Sequence, residues 1–235
     1  MNTLSKEELE KGFVDNKDFE ALEIEDVFDE HHLFIIKHHY KRFQHYYTTT
    51  GYAGQRKWGM GYPEISKRLE ELVSKKLGDE VVLTELELCI YTPDFGYEPK
   101  LYPHYDNHST EGQRLTVSVQ IDSNVDWDLF VENKRYKTSN NKGLVFSGTQ
   151  QIHWRDNLKF KKGDFVAAVF GHFKYKNNKP QSPNQKAIMD YWETKYQEET
   201  GIHLDPLPID PTAGNWARKD EWIQTASDNF FQGEQ

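Results

Sequence analysis

The sequence has a single cysteine, Cys89, among its 235 residues, and this excludes an internal disulfide. Cys89 lies in an apolar run, so we expect a small buried hydrophobic side chain rather than a reactive thiol. Long hydrophobic runs are also missing. No segment approaches the roughly 20 apolar residues of a membrane span, and residues 1–10 lack the apolar stretch of a signal peptide. We therefore expect a soluble, cytoplasmic protein with no membrane association.

The sequence has few basic residues: its 29 lysines and arginines and 38 acidic residues give a formal net charge of −9. This charge disfavours electrostatic binding to nucleic acid. Hydrophobic residues make up only 36% of the chain and the mean hydropathy is −0.87, but aromatic residues reach 14%. We expect a core that depends on a few large rings. The length fits one domain, and the oligomeric state is left open.

The hydrophobic pattern changes near residue 81 and divides this single predicted domain into three parts. Residues 1–80 are predicted to be helical, with helices at residues 5–13, 28–47 and 62–77. Residues 81–175 are predicted to form strands at 81–91, 114–121, 127–136, 143–146 and 165–175. Residues 176–235 are a C-terminal extension with helices at 182–200 and 217–231. The prediction is a mainly β fold with flanking helices, in which a jelly-roll or related double-sheet barrel forms the core.

A candidate metal site begins at His104 and Asp106, which lie two positions apart and would share one face of an extended strand. Two imidazoles and one carboxylate on the same side of Fe(II) form the facial triad of non-haem iron oxygenases. His153, at the end of a later strand-like segment, is the candidate third ligand. The pair alone is a weak signal, since His203 and Asp205 repeat it in a proline-rich tail. From the residues alone, polar histidines at strand ends are the alternative.

A longer motif surrounds this site. Tyr91 precedes a glycine-bearing turn, Pro-His-Tyr-Asp-Asn occupies 103–107, Arg-Leu-Thr-Val-Ser-Val occupies 114–119, and Gly148 and His153 follow. Together these residues resemble the Fe(II)/2-oxoglutarate-dependent dioxygenase superfamily, particularly its prolyl-4-hydroxylase-like branch, over roughly residues 86–175. The resemblance implies a double-stranded β-helix core and iron ligation by His104, Asp106 and His153. It also implies 2-oxoglutarate as cosubstrate and O2 as oxidant, with ascorbate as a candidate addition.

The same resemblance implies a basic side chain that meets the far carboxylate of 2-oxoglutarate. Lys162 has the family-like offset from His153, but in a Lys-Lys-Gly-Asp turn a solvated surface charge is the alternative. Arg155 is the second candidate, because a guanidinium grips a carboxylate at two points. Tyr91 matches a position where the family uses a tyrosine hydroxyl to bond the cosubstrate. A half-buried strand tyrosine is the alternative there.

Three further residues are candidates for substrate contacts or for support of the metal ligands: His108, Arg114 and Trp154. Trp127 and Trp154 are either core rings or pocket walls. His172 is expected to be a strand residue that lines or flanks the barrel.

The activity implied by the resemblance is hydroxylation of a C–H bond. The favoured substrate is an amino-acid side chain, free or in a peptide or protein, and another small metabolite stays open. Asp106 favours hydroxylation, because related halogenases lack the carboxylate and place chloride there. The alternative from a different class is a noncatalytic, cupin-like jelly-roll binding module with a structural metal or none. Turnover of 2-oxoglutarate with Fe(II) discriminates between the two.

Overall fold

The computed structural model describes residues 5–6, 19–50, 55–96, 98–99, 101, 106, 114–132, 134–149, 151, 153–155, 158–177 and 179. Within these residues the chain forms two α-helices, α1 (Glu30–Phe43) and α2 (Pro63–Leu77). The ten described strands are β1 (Leu22–Ile24), β2 (Thr48–Thr50), β3 (Gln55–Gly59), β4 (Val81–Tyr91), β5 (Arg114–Ser123), β6 (Leu129–Val131), β7 (Lys134–Tyr136), β8 (Gly143–Phe146), β9 (His153–Arg155) and β10 (Val166–Tyr175). Neither helix is long and apolar enough to cross a membrane.

Both helices have local sequence signals at their ends. The side chain of Asp29 caps α1 by accepting a hydrogen bond of 2.9 Å from the backbone N–H of His32. Helix α2 begins at Pro63 and ends before Gly78, whose φ of 69° is the left-handed conformation that glycine adopts without strain. Its buried positions, Ile65, Leu69 and Val73, recur every four residues and form one apolar face. This face packs into the main hydrophobic core against the sheet that contains β4.

The strands form two antiparallel sheets. The larger has the order β1-β8-β5-β10-β4-β3-β2, and the smaller has the order β7-β6-β9. Strand β10 lies in the middle of the larger sheet, where Val169 pairs with Leu88 of β4 and Val119 of β5. Arrangements of this kind, mainly β with antiparallel sheets, are consistent with a jelly-roll core.

Strand β5 alternates between two environments, as its sequence predicts. Leu115, Val117, Val119 and Ile121 are fully buried and belong to the main core beneath the helices. The residues between them, Thr116, Ser118 and Gln120, are buried and polar and lie on the opposite face of the sheet. That polar face is the one on which the candidate site is built.

The strand predictions agree with the structure over the later part of the chain. Residues 81–91 and 143–146 have the predicted bounds, the strand predicted at 114–121 continues to residue 123, and the one predicted at 165–175 begins at residue 166. The segment 127–136 is two strands, because the chain turns at Glu132, which has a φ of 56°. Cys89 is buried, as expected.

Residues 1–80, predicted as a helical part, contain the three strands β1, β2 and β3 beside their helices, and no strand was predicted there. These strands have only three to five residues, too few for an alternating pattern to stand out. Strand β1 pairs with β8, β3 pairs with β4, and β2 pairs with β3. The helix predicted at 28–47 is shorter, since α1 ends at Phe43 and a 3-10 helix, Gln44–Tyr46, follows. The helices predicted at 182–200 and 217–231, and that at 5–13 beyond residue 6, lie outside the described residues.

Candidate metal and cosubstrate site

Asp106 and His153 meet between the two sheets. His153 begins β9, where it pairs with Val131 of β6, and the backbone N–H of Asp106 donates to the carbonyl oxygen of Gly148 over 2.8 Å. The Nε2 atom of His153 is 3.4 Å from Oδ1 of Asp106. Two ligands at right angles on one first-row metal ion, with bonds of about 2.0–2.2 Å, are about 3 Å apart. The two side chains therefore suit neighbouring positions on a single ion.

The ring of His153 is held in one tautomer. Its Nδ1 atom is 3.0 Å from the carbonyl oxygen of Gln151. A carbonyl only accepts hydrogen bonds, so Nδ1 is the donor, and in the neutral ring the lone pair lies on Nε2. That lone pair is on the side of the ring that faces Asp106. Metal-binding histidines are commonly oriented in this way by a carbonyl behind the ring.

The second carboxylate oxygen of Asp106 faces a different set of groups. The hydroxyl of Thr116 donates a short hydrogen bond to Oδ2. The Nδ1 atom of His172 is 3.2 Å from the Thr116 hydroxyl oxygen and 3.9 Å from Oδ2 itself. The carboxylate therefore has one oxygen toward His153 and the other toward Thr116 and His172.

Gly148 is required by the close packing around this carboxylate. A Cβ atom built on Gly148 would lie 2.9 Å from Cγ of Asp106 and closer still to Oδ2 and to the Thr116 hydroxyl. Real Cβ atoms essentially never approach other atoms so closely. A larger residue at position 148 would displace Asp106.

Arg155 is a buried cation on the same strand. It lies two residues after His153 on β9, so both side chains share one face, and it is 3% exposed. Its Nη1 atom donates to the carbonyl oxygen of Trp127, and its Cζ atom is 5.0 Å from the Trp127 ring centroid. Burial lowers the pKa of the Arg155 guanidinium to about 10, so the group is still positive at neutral pH.

Two donors of Arg155, Nε and Nη2, are buried and have no hydrogen-bond partner among the described residues. These atoms form one edge of the guanidinium, the edge that matches the two oxygens of a carboxylate. Leaving buried donors of a cation unsatisfied costs free energy, so their arrangement calls for an anion. The residues therefore fit a carboxylate ligand.

Tyr91 lies close to this guanidinium. It is 2% exposed, and its ring centroid is 5.2 Å from that of Trp127. Its charge interaction with Arg155 raises the pKa of the guanidinium, against the larger effect of burial. Around it is an apolar cluster that includes Cys89, Phe160 and Val166. The structure thus brings Tyr91 and Arg155 together in surroundings that exclude water.

The other predicted residues lie elsewhere. Lys162 is exposed in the turn that joins β9 to β10, where the backbone N–H of Lys161 donates to the carboxylate of Asp164. Trp154 stacks on Phe130, with ring centroids 5.3 Å apart. Both rings lie on the face of the smaller sheet opposite to the face that carries His153 and Arg155.

Arg114 begins β5 and shares a face with Thr116. His104 and His108 lie outside the described residues. In the part of the chain that the structure describes, no three histidine, cysteine or acidic side chains form a metal-binding group.

The sequence predicts no role for Thr116, and it predicts His172 only as a strand residue that lines or flanks the barrel. Their signal was present in the alternation of β5, where polar residues interrupt an apolar strand at every second position. A strand buried on both faces normally lacks such residues, so they mark a face with a polar partner. The identity of that partner, Asp106, follows only from the fold.

Comparisons with known proteins bear on the fold. Neither the family models nor the curated protein sequences gave a match. Among solved structures, the non-haem alpha-ketoglutarate-dependent epimerase SnoN from nogalamycin biosynthesis matches with a TM-score of 0.53 at 12% identity. The match covers 68% of this chain and 81% of the epimerase.

Two prolyl hydroxylases are also similar. The enzyme from Trichoplax adhaerens, in complex with a hypoxia-inducible-factor peptide fragment, has a TM-score of 0.47 at 15% identity and covers 65% of this chain and 83% of its own. The prolyl-4-hydroxylase from Pseudomonas putida has a TM-score of 0.48 at 9% identity and covers 67% and 93%. The match to the epimerase shows that the chain has the fold of the Fe(II)/2-oxoglutarate-dependent oxygenases. The superfamily resemblance predicted from the sequence is confirmed at the level of the fold.

Proposed function

We propose that this chain is a 2-oxoglutarate-dependent non-haem iron oxygenase that hydroxylates a C–H bond. The observation that carries the proposal is the arrangement of β9. The Nε2 atom of His153 faces Asp106 over 3.4 Å, and two residues later Arg155 presents two buried donors, without partners among the described residues, on the same face of the strand. A metal ligand and a cation at this spacing suit a diacid such as 2-oxoglutarate, which would chelate the metal at one end and meet Arg155 with its other carboxylate.

The metal would be held by His104, Asp106 and His153. Bound iron supplies the activation of O2 that is coupled to conversion of 2-oxoglutarate into succinate and CO2 and to oxidation of the substrate. The protein's contribution is to hold the ligands in place. The carbonyl oxygen of Gln151 fixes the His153 tautomer, and Thr116 orients the carboxylate of Asp106.

The cosubstrate anchor in this proposal is Arg155. Residues two apart on a strand are about 7 Å apart, a distance that a five-carbon diacid spans between a metal and a guanidinium. Tyr91, which is buried and whose charge interaction raises the pKa of Arg155, would assist in binding the cosubstrate. Arg155 is preferred over Lys162 because a buried, unsatisfied cation needs an anion, whereas an exposed lysine is already solvated.

The favoured substrate is an amino-acid side chain, free or in a peptide or protein, as the sequence resemblance to prolyl-4-hydroxylases implies. Arg114, which shares the face of Thr116, is the candidate contact for a substrate near the metal. The apolar rings of Tyr91, Trp127 and Phe160 keep water from the cosubstrate.

The test is to incubate the protein aerobically with Fe(II) and 2-oxoglutarate and to measure succinate. We expect slow succinate formation without substrate, and its loss in Asp106→Ala. Asp79→Ala is the matched control, since Asp79 pairs with Lys179 at the surface. Metal binding without succinate formation under any condition would instead support the noncatalytic binding module.

A further inference from the structure

We propose that Thr116 and His172 are positioning residues that fix the carboxylate of Asp106, so that Oδ1 alone is presented to the metal. This inference rests on the proposed function, because it assigns Asp106 as a metal ligand. It concerns how this chain prepares that ligand before any metal arrives.

The hydrogen bonds run in one direction. The Thr116 hydroxyl has a single proton, and it donates that proton to Oδ2 of Asp106. Its oxygen is then left to accept, so the Nδ1 atom of His172, 3.2 Å away, is the donor to Thr116. The order is His172 to Thr116 to Asp106. His172 therefore holds the threonine hydroxyl in the rotamer that serves the carboxylate.

The frame that carries these groups is rigid. Thr116 and His172 are register partners on β5 and β10, the two central strands of the larger sheet. Thr116 is 2% exposed, and the Asp106 and His172 side chains are 13% and 14% exposed. On another side, the backbone of Gly148 packs so close to the carboxylate that a Cβ atom at this position would meet it. One orientation of the carboxylate is thereby selected.

A consequence is that Asp106 is prepared for binding through one oxygen. Oδ1 lies 3.4 Å from the Nε2 atom of His153, whereas Oδ2 is engaged by Thr116. Without the hydroxyl, Oδ2 would lose a buried donor, and the carboxylate would be free to turn both oxygens toward the ion. Partners of metal ligands typically contribute about 10–100-fold to metal affinity.

The experiment measures the affinity of the full chain for Co(II) alone, by calorimetry and by the visible absorption of the bound ion. Thr116→Val keeps the shape of the side chain and removes the hydroxyl, and Thr116→Ser restores it. His172→Leu removes the donor, and His172→Asn places an amide nitrogen where Nδ1 was. Thr84→Val is the matched control, because the Thr84 hydroxyl bonds only the backbone carbonyl of His172 among the contacts described.

We expect Thr116→Val and His172→Leu to weaken Co(II) binding by about tenfold or more and to change its absorption spectrum. Thr116→Ser, His172→Asn and Thr84→Val should bind like the wild type. If Thr116→Val binds Co(II) with the wild-type affinity and spectrum, the inference is overturned while the proposed metal site stands. If the wild type itself binds no Co(II), the proposed function fails as well. If Thr116→Val fails to fold, the two His172 variants decide: equal binding by both overturns the inference.

Discussion

Replacing Arg155 by methionine should abolish tight binding of 2-oxoglutarate and leave the protein folded. Methionine keeps an apolar side chain against the Trp127 ring and removes the charged group. The two donors lost, Nε and Nη2, are those without a partner among the described residues. This change therefore separates a ligand-binding role from a structural one.

The size of the effect follows from the bonds involved. Two hydrogen bonds from a charged group contribute about 1.5–3 kcal/mol each, so the loss should be at least about 3 kcal/mol. Since about 1.4 kcal/mol is a factor of ten, the Kd for 2-oxoglutarate should rise more than about a hundredfold. The stability of the ligand-free protein should change little or increase, because two buried unsatisfied donors, which cost about 1–3 kcal/mol each, are removed. Opposing this is the loss of one bond to the Trp127 carbonyl.

The assay is anaerobic calorimetric titration of 2-oxoglutarate into protein loaded with Mn(II), together with the Tm of the ligand-free protein. Arg155→Lys should lie between the wild type and Arg155→Met, because lysine keeps the charge without the two-point edge. Lys162→Met is the matched control and should bind like the wild type. The reasoning would be refuted by a large loss of affinity in Lys162→Met, or by Arg155→Met binding normally.

Three further outcomes are expected. Gly148→Ala should weaken Co(II) binding without lowering secondary-structure content by circular dichroism, because its Cβ displaces the Asp106 carboxylate; unchanged binding would contradict the packing argument. Leu69→Ala, at a fully buried position, should lower the free energy of unfolding in urea by about 2–5 kcal/mol while the Kd for 2-oxoglutarate stays constant. Burial holds the pKa of His39 below its usual value of 6.5, so the unfolded chain binds more protons, and stability present above pH 6.5 should be lost as the pH falls below it. His39→Gln should show a smaller drop between pH 8 and pH 5.5, and an equal drop in both proteins would argue against this assignment.

The long strands β4, β5 and β10 of the larger sheet were predictable because each is long enough to show its period. Residues 81–91 alternate or run apolar over many positions, and the flanking turns carry glycine and aspartate. The helix at 62–77 was equally clear, since Pro63 and Gly78 mark its ends. The short strands β1, β2 and β3 were missed because none is long enough to show a period. The partners of β1 and β3 in the sheet, β8 and β4, are also distant along the chain.

For the candidate site, too, some features could be predicted from the sequence and others only from the fold. The sequence alone predicts the candidate ligands and the motif. His104 and Asp106 are an i, i+2 pair that would share one face of a strand, and His153 follows in a later strand-like segment. The sequence ranks Lys162 ahead of Arg155 by its offset from His153. Burial favours Arg155 instead, and burial depends on which residues the other strands place around each side chain. The sequence could not connect Asp106 to Thr116 and His172, which are far apart along the chain and meet only where β5 and β10 pair. Local spacing in the sequence predicts which side chains are candidate ligands. The tertiary structure decides which charged groups are buried, and electrostatic interactions are stronger for buried groups because water does not screen them.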